Sequence, residues 1–308
     1  MNKGLTITLI VLLSILLAGV VGIMIFLFTG EIDINKFTFS FGESKTLVEE
    51  KEINTIKGLN IETNRADIIV ETKETNSIKI ELYSDYAEEY KIEELNDEIK
   101  VLLKDKKTVA FSTKNSKIKV YVPSTYNKDI TIDSRTGDVE LPSLKESNLK
   151  LSLTTGDVEI KAIKDATIKA TTGDVNINNA NDVVISLTTG DITIGNANKV
   201  ETTATTGDLN VSEATDVKSK VTTGDIEINK VNNYINLKST TGDIKINNAN
   251  INRNSKIVSG VGDVKVNNTT GCYVEGKSKI GDTNISNNDR KSDITLTIES
   301  RVGDIKVN

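Results

Sequence analysis

Within the run Ala166 to Ile246 the tetrapeptide Thr-Thr-Gly-Asp returns at Thr171, Thr188, Thr205, Thr222 and Thr240, each time followed by an aliphatic, a polar and a second aliphatic residue. Gly-Asp pairs extend the pattern on both sides: Gly137, Gly156, Gly173, Gly190, Gly207, Gly224, Gly242, Gly262, Gly281 and Gly303, in steps of 19, 17, 17, 17, 17, 18, 20, 19 and 22 residues. A period near twenty marks a stacked, quasi-one-dimensional fold with atypical end repeats as caps. The spacing predicts that successive Gly-Asp corners lie directly above one another.

The side chains around each glycine show what is stacked. Two and four residues after it lie Val158 and Ile160, Val175 and Ile177, Ile192 and Ile194, Leu209 and Val211, and their counterparts in the other repeats. At seven, five and three residues before it stand Leu149, Leu151 and Leu153, then Val183, Ile185 and Leu187. Period-2 alternation of this kind is a strand with one buried face, so each repeat is expected to supply two short strands separated by the Gly-Asp turn. A third inward position falls seven residues after the glycine, at Leu144, Ile163, Ala180, Ala197, Ala214, Val231 and Ala249, among Asn-rich corners such as Asn178-Asn179. About seventeen residues hold no helix plus strand, and β-branched residues dominate. The expected fold is all-β, a single-stranded β-solenoid with ~17-residue coils rising ~4.8 Å each.

Glycine supplies the positive φ a sharp corner needs, and aspartate can bond nearby backbone. Stacked threonines are expected to pair their hydroxyls across the ladder, and the Asn runs to form ladders of their own. The aspartate column poses a problem, because carboxylates ~5 Å apart repel by roughly 1 kcal/mol per neighbour even in a water-like dielectric. Backbone amides, solvent screening or a bound cation must offset that.

Leu5 to Phe28 is an almost unbroken apolar run. At ~1.5 Å per residue it crosses a ~30 Å hydrocarbon core as a helix. The alternative, a cleaved signal peptide, would have a shorter apolar region ending in small residues, whereas Met24 to Phe28 continues apolar and no Ala-x-Ala follows. An uncleaved N-terminal transmembrane helix is therefore expected over 5–28, with 1–4 as a cytoplasmic stub. Lys3 before the span, with Glu31 and Asp33 after it, sends the remainder outside the cell membrane. Residues 29–48 read as a tether in which Phe37, Phe39 and Phe41 form a first strand or interfacial anchors. Residues 49–130 read as an irregular β region capping the solenoid, with a hairpin around Asn96-Asp97, and 131–308 as the regular repeats. Cys272 is the single cysteine, so no intramolecular disulfide is available, and it is expected to be a small buried residue.

These features together resemble a bacterial membrane-anchored β-strand-repeat family of unknown function labelled "putative adhesin". The matching residues are the N-terminal span, Gly-Leu-Asn-Ile-Glu-Thr-Asn at Gly58 to Asn64, Lys-Val-Tyr-Val-Pro at Lys119 to Pro123, and the repeated Thr-Thr-Gly-Asp-Ile/Val. The resemblance covers Glu49 to Asn308 and implies a β-solenoid displayed at the cell envelope. It implies no reaction or ligand, so no site residues carry over. Val261, Ile280 and Val302, which replace threonine before the glycine, depart from the central pattern.

An acidic balance, formally −6, without basic clusters argues against nucleic acid. The chain has no histidine, which removes the commonest general base and any Ser-His-Asp arrangement, and steps of 17 leave no long loops to build a polysaccharide-cleaving groove. The expectation is no enzyme, with catalytic, cofactor-binding and metal residues all none. A calcium-binding roll would need six to eight oxygens, and one Gly-Asp corner per coil is an incomplete set. A non-catalytic, envelope-associated binding or structural module is the favoured reading. Its expected partners are the lipid bilayer through the span, with cell-wall polymer or a membrane or surface protein. The alternative is an envelope-stress sensing or regulatory accessory protein acting through a membrane partner.

Overall fold

In a computed structural model the chain is described over residues 46–106, 116–286 and 291–308. The expected span over 5–28, the stub and Phe37, Phe39 and Phe41 lie outside the described residues. Among those that are described, no helix is long and apolar enough to cross a membrane.

The chain winds as a single-stranded β-solenoid. In its centre one strand runs from each Gly-Asp corner to the next: Val158–Thr172, Val175–Thr189, Ile192–Thr206 and Leu209–Thr223. Each pairs parallel with its neighbours, Val158 on Val175, Ile168 on Ile185, Thr172 on Thr189. Two short strands per repeat were expected, and the structure corrects this to one 15-residue strand that bends at the Asn/Ala corner without leaving the ladder. That corner needs no positive φ, whereas every Gly-Asp glycine has φ between 128° and 143°. Only the second kind of bend ends the strand, and even there the coils stay bonded, Gly156 N–H to the Thr172 carbonyl and Val158 N–H to that of Asp174.

The aliphatic columns fill the interior as the alternation predicts. Val158, Ile160, Val175, Ile177, Ile192 and Ile194 are buried, as are Leu149, Leu151, Val183 and Ile185. At the third inward position Leu144, Ile163, Ala214, Val231 and Ala249 are buried, while Ala180 and Ala197 are only partly so. Cys272 is buried in the same continuous core.

Both ends depart from sequence order. At the N-terminal end Gly58–Thr63 and Ala66–Lys73 form a complete coil directly beneath the one entered at Ile130, with Leu59 on Ile130 and Ile68 on Val139. The coils therefore begin within the region expected to be irregular, and Thr63 to Asp67 forms the first corner, with Ala66 in the glycine's place beneath Gly137 and Asp67 accepting the Asp138 amide. Below it lie Glu98–Asp105 and Ser116–Pro123, so the 58–73 coil sits between two that follow it in the chain. Antiparallel strands finish this end. Ala87–Glu94 folds back on Glu98–Asp105 in the expected hairpin, and Ile78–Tyr83 pairs with Ser116–Pro123 and with Leu47–Ile53.

At the C-terminal end the last two corners are transposed. Thr295–Val302 pairs parallel with Ser255–Val261 on one side and with Tyr273–Ser278 on the other. Ile305–Val307 likewise lies between Val264–Val266 and Thr283–Ile285. The expectation of strictly successive stacking fails here for a local reason. After Val266 the chain turns through Asn268 and Gly271, both at positive φ (48° and 81°), and steps past one coil position instead of into it. The terminal strand fills the slot.

Candidate binding surfaces

The Gly-Asp corner is built by stacking. A Cβ on Gly173 would overlap the carbonyl oxygen of Gly156, and one on Gly190 that of Gly173. The same holds along the whole column, so glycine is required both by φ and by the approach of the coil below. Turning the backbone this way aims each aspartate amide at the aspartate of the preceding coil. Asp157, Asp174, Asp191, Asp208 and Asp225 each donate their amide to Oδ1 of the aspartate below, at 2.8 Å. Asp138 begins the series on Asp67, and Asp282 ends it on Asp304. The backbone amides thus supply one of the offsets to carboxylate repulsion at every rung. Among the described residues no group of three or more histidine, cysteine or acidic side chains is placed to hold a metal ion.

The corner threonines behave differently from the expectation. Thr171, Thr188 and Thr205 face outward, and among the described residues no hydroxyl pairing runs along their column; the hydroxyl pair that does form is an inward one, Thr202 to Ser219 at 2.7 Å. Backbones one coil apart stand ~4.8 Å from each other, so a ~2.8 Å O–H···O bond needs both hydroxyls to turn toward one another, as the inward Thr202 and Ser219 do and the outward column does not. Asparagine is longer and reaches: Asn196 donates to Asn179 at 3.1 Å and Asn268 to Asn248 at 3.1 Å. The threonine hydroxyls are thus left to water on one wall of the solenoid, where Ser152, Thr154, Lys169, Thr171, Ser186 and Thr188 line an open groove of about 430 Å³.

A second groove, about 580 Å³, follows the opposite side of the corner in the C-terminal third, where the column Lys245, Lys265 and Lys306 runs beside Asp243, Asp263 and Asp304. Lysine–glutamate pairs join neighbouring coils, that of Lys245 within this groove. Lys218 reaches Glu201 at 2.6 Å, Lys230 reaches Glu213 at 2.8 Å and Lys245 reaches Glu227 at 2.7 Å, and these hydrogen bonds hold the three carboxyls below their ordinary range. Exposed pairs of this kind contribute little to stability.

Sequence reasoning missed one polar cluster, at the N-terminal end. Antiparallel pairing of Ile78–Tyr83 with Ser116–Pro123 brings Tyr83, Tyr121 and Lys79 around Glu81. Burial pushes the Glu81 carboxyl up, but hydrogen bonds from Lys79 and Tyr83, the Lys79 charge and Tyr121 outweigh it and leave the group lowered. The members satisfy one another, which suits a cap over the core rather than a reactive centre. Forty residues separate Glu81 from Tyr121, and no spacing rule links them.

The model of the Toastrack DUF4097 family matches residues 56–233 and again 163–308. The chain belongs to that family. No curated protein matches it. Among solved structures, the Toastrack chain is similar to a "putative adhesin" from Bacteroides fragilis at 18% identity, covering 87% of this chain and 100% of that one with a TM-score of 0.36. It is similar to a "putative adhesin" from Parabacteroides merdae at 14%, covering 88% and 100%, TM-score 0.42. It is also similar to a "putative lipid binding protein" from Parabacteroides distasonis at 13%, covering 87% and 100%, TM-score 0.44. At such identity a shared name carries no function across.

What the geometry of this Toastrack chain offers chemically is therefore surface. Its repeated residues are gathered into outward columns, and the carboxylates of the corner are engaged with backbone.

Proposed function

We propose that the protein is a non-catalytic binding module of the cell envelope, tethered by the apolar segment 5–28 and holding extended polymer along its outward columns. The observation that carries this reading is the threonine and serine wall, whose hydroxyls find no partner along the column and recur once per coil beside an open groove. A repeating polar surface suits a repeating ligand such as a cell-wall glycan, since each added unit meets the same donors and acceptors one coil further on. Weak contacts then sum through multivalency. The absence of histidine from the sequence supports a role without general-base chemistry.

The test is retention of the purified chain on isolated cell-wall polymer. Thr171→Val with Thr188→Val and Thr205→Val, which remove the hydroxyls at exposed positions without adding charge or losing β-branching, should abolish retention while the melting temperature holds. Retention unchanged by these substitutions would refute the reading.

A further inference from the structure

The outward positions six, four and two residues before each corner glycine stack into three columns that form one face of the solenoid. The column nearest the corner holds Thr154, Thr171, Thr188 and Thr205, with Arg135 before them and Arg301 beyond. Over the coils stacked from the Gly137 corner to the Gly303 corner, two lysines of this face are neutralised across a rung, Lys218 by Glu201 and Lys256 by Glu299. Arg135, Lys150, Lys169, Lys220, Lys238 and Arg301 are exposed and, among the described residues, make no ion pair; Asp133 is the one carboxylate left to set against them. Lys220 and Lys238 stand one rung apart with like charge, which repels unless an anion lies over them. The face on the other side of the corner begins with the aspartate column, so a net charge of −6 conceals two faces of opposite sign. Screening confines each field to ~8 Å at physiological salt, and the lysines stand in the columns farther from the aspartates, with the threonines between. No window of the sequence shows this cluster, because each of the six cations falls in a different coil.

We infer that this face takes a linear polyanion of the cell envelope, a chain of phosphodiester-linked units lying along the solenoid axis. The inference rests on the polymer reading and deepens it by assigning the polymer its charge. A phosphodiester fits because it carries one negative charge and spare acceptor oxygens, so a lysine can meet the charge while Thr171, Ser186, Thr188 and Thr203 donate hydroxyls to the remaining oxygens. A small anion does not fit. From Arg135 to Arg301 the cations spread over eight rungs, ~38 Å, and only Lys220 and Lys238 occupy adjacent rungs of one column. Contacts spaced in this way hold a chain by summing weak ones. Single-stranded nucleic acid would call for aromatic side chains on which its bases stack, and none stands in these columns.

The test is co-sedimentation of the purified full chain, in detergent, with cell-wall sacculi that carry polyol-phosphate polymer and with the same sacculi stripped of it by hydrofluoric acid. Retention should be at least ~10-fold weaker on the stripped sacculi and should fall steeply between ~50 and ~200 mM salt. Lys169→Gln with Lys220→Gln and Lys238→Gln should weaken it at least ~10-fold. Lys145→Gln with Lys164→Gln and Lys199→Gln, exposed around the Asn/Ala corner, change the net charge equally and should leave retention unchanged. Retention that survives stripping, survives the first triple exchange or falls equally in the second overturns this inference and leaves the polymer reading standing, whereas no retention on either preparation overturns both. Duplex DNA held at least as tightly at the same salt would assign the face to nucleic acid and overturn the inference as well.

Discussion

The backbone amide of Asp304 donates to Oδ1 of Asp263 at 2.8 Å, although 41 residues separate them in the chain. This rung has the length of the rungs between true neighbours, such as Asp191 on Asp174. The column therefore runs unbroken through a place where chain order does not, and the corner, rather than the sequence of coils, is the repeating unit of the stack.

Gly173→Ala should cost on the order of 3 kcal/mol, because alanine is strained at a φ of 128° and its Cβ would overlap the Gly156 carbonyl. Urea denaturation checks the size. Ala170→Gly, two residues from the corner strand's end and free of that constraint, should cost less.

At the next level, Asp191→Ala should destabilise by ~1 kcal/mol by removing the acceptor for the Asp208 amide, whereas Asp191→Asn should be near neutral or better. The carboxamide oxygen keeps the hydrogen bond, and one carboxylate leaves a column of like charges. Equal losses from the two variants would show that the amide bond is not what offsets the repulsion.

Ile298→Ala, in the core of the inserted terminal strand, should cost ~2–5 kcal/mol locally. Hydrogen exchange should show the loss in Tyr273–Ser278, which pairs with that strand, while Val175–Thr189 stays protected. Protection lost evenly along the chain would contradict a stack whose coils feel only their neighbours.

Much of this was legible in the sequence. Val175, Ile177, Val183 and Ile185 announce their inward positions by alternation, and the positive φ of Gly173 follows from its place in the corner. Three things were not. The steps 19 and 22 around Gly281 look like looser versions of 17, and alternation at Leu296 and Ile298 says which face is buried but not which coil lies beneath. Nor could spacing foresee that Leu59 and Ile68 stack under Ile130 and Val139, because the described residues between them, 74–106 and 116–129, form the layers of the cap. The Asn/Ala bend was misjudged as a break since polar residues there resemble a turn, yet Asn179 and Asn196 remain paired through it.

Alkaline stability should depend on Tyr126. Its buried hydroxyl donates to the Lys57 carbonyl at 2.9 Å, and burial, with Asp129 nearby, pushes its ionisation well above the ordinary value. A group whose folded pKa is raised contributes stability that is fully present below the unfolded pKa of ~10 and is lost as pH rises from there through the folded value. Circular dichroism during alkaline titration should show unfolding that begins above ~pH 10. Tyr126→Phe should flatten that limb while costing ~1 kcal/mol at neutral pH.

The inserted strand can be tested most directly by paired cysteines. Lys256 stands in register with Thr297, and Thr297 with Glu275, so Lys256 and Glu275 are two rungs apart. A disulfide needs Cα atoms within ~7 Å, which one rung of ~4.8 Å allows and two do not. Under mild oxidation Lys256→Cys with Thr297→Cys should cross-link within the chain, and Lys256→Cys with Glu275→Cys should not. The reverse result would mean that the coils stack in simple chain order and would contradict the account.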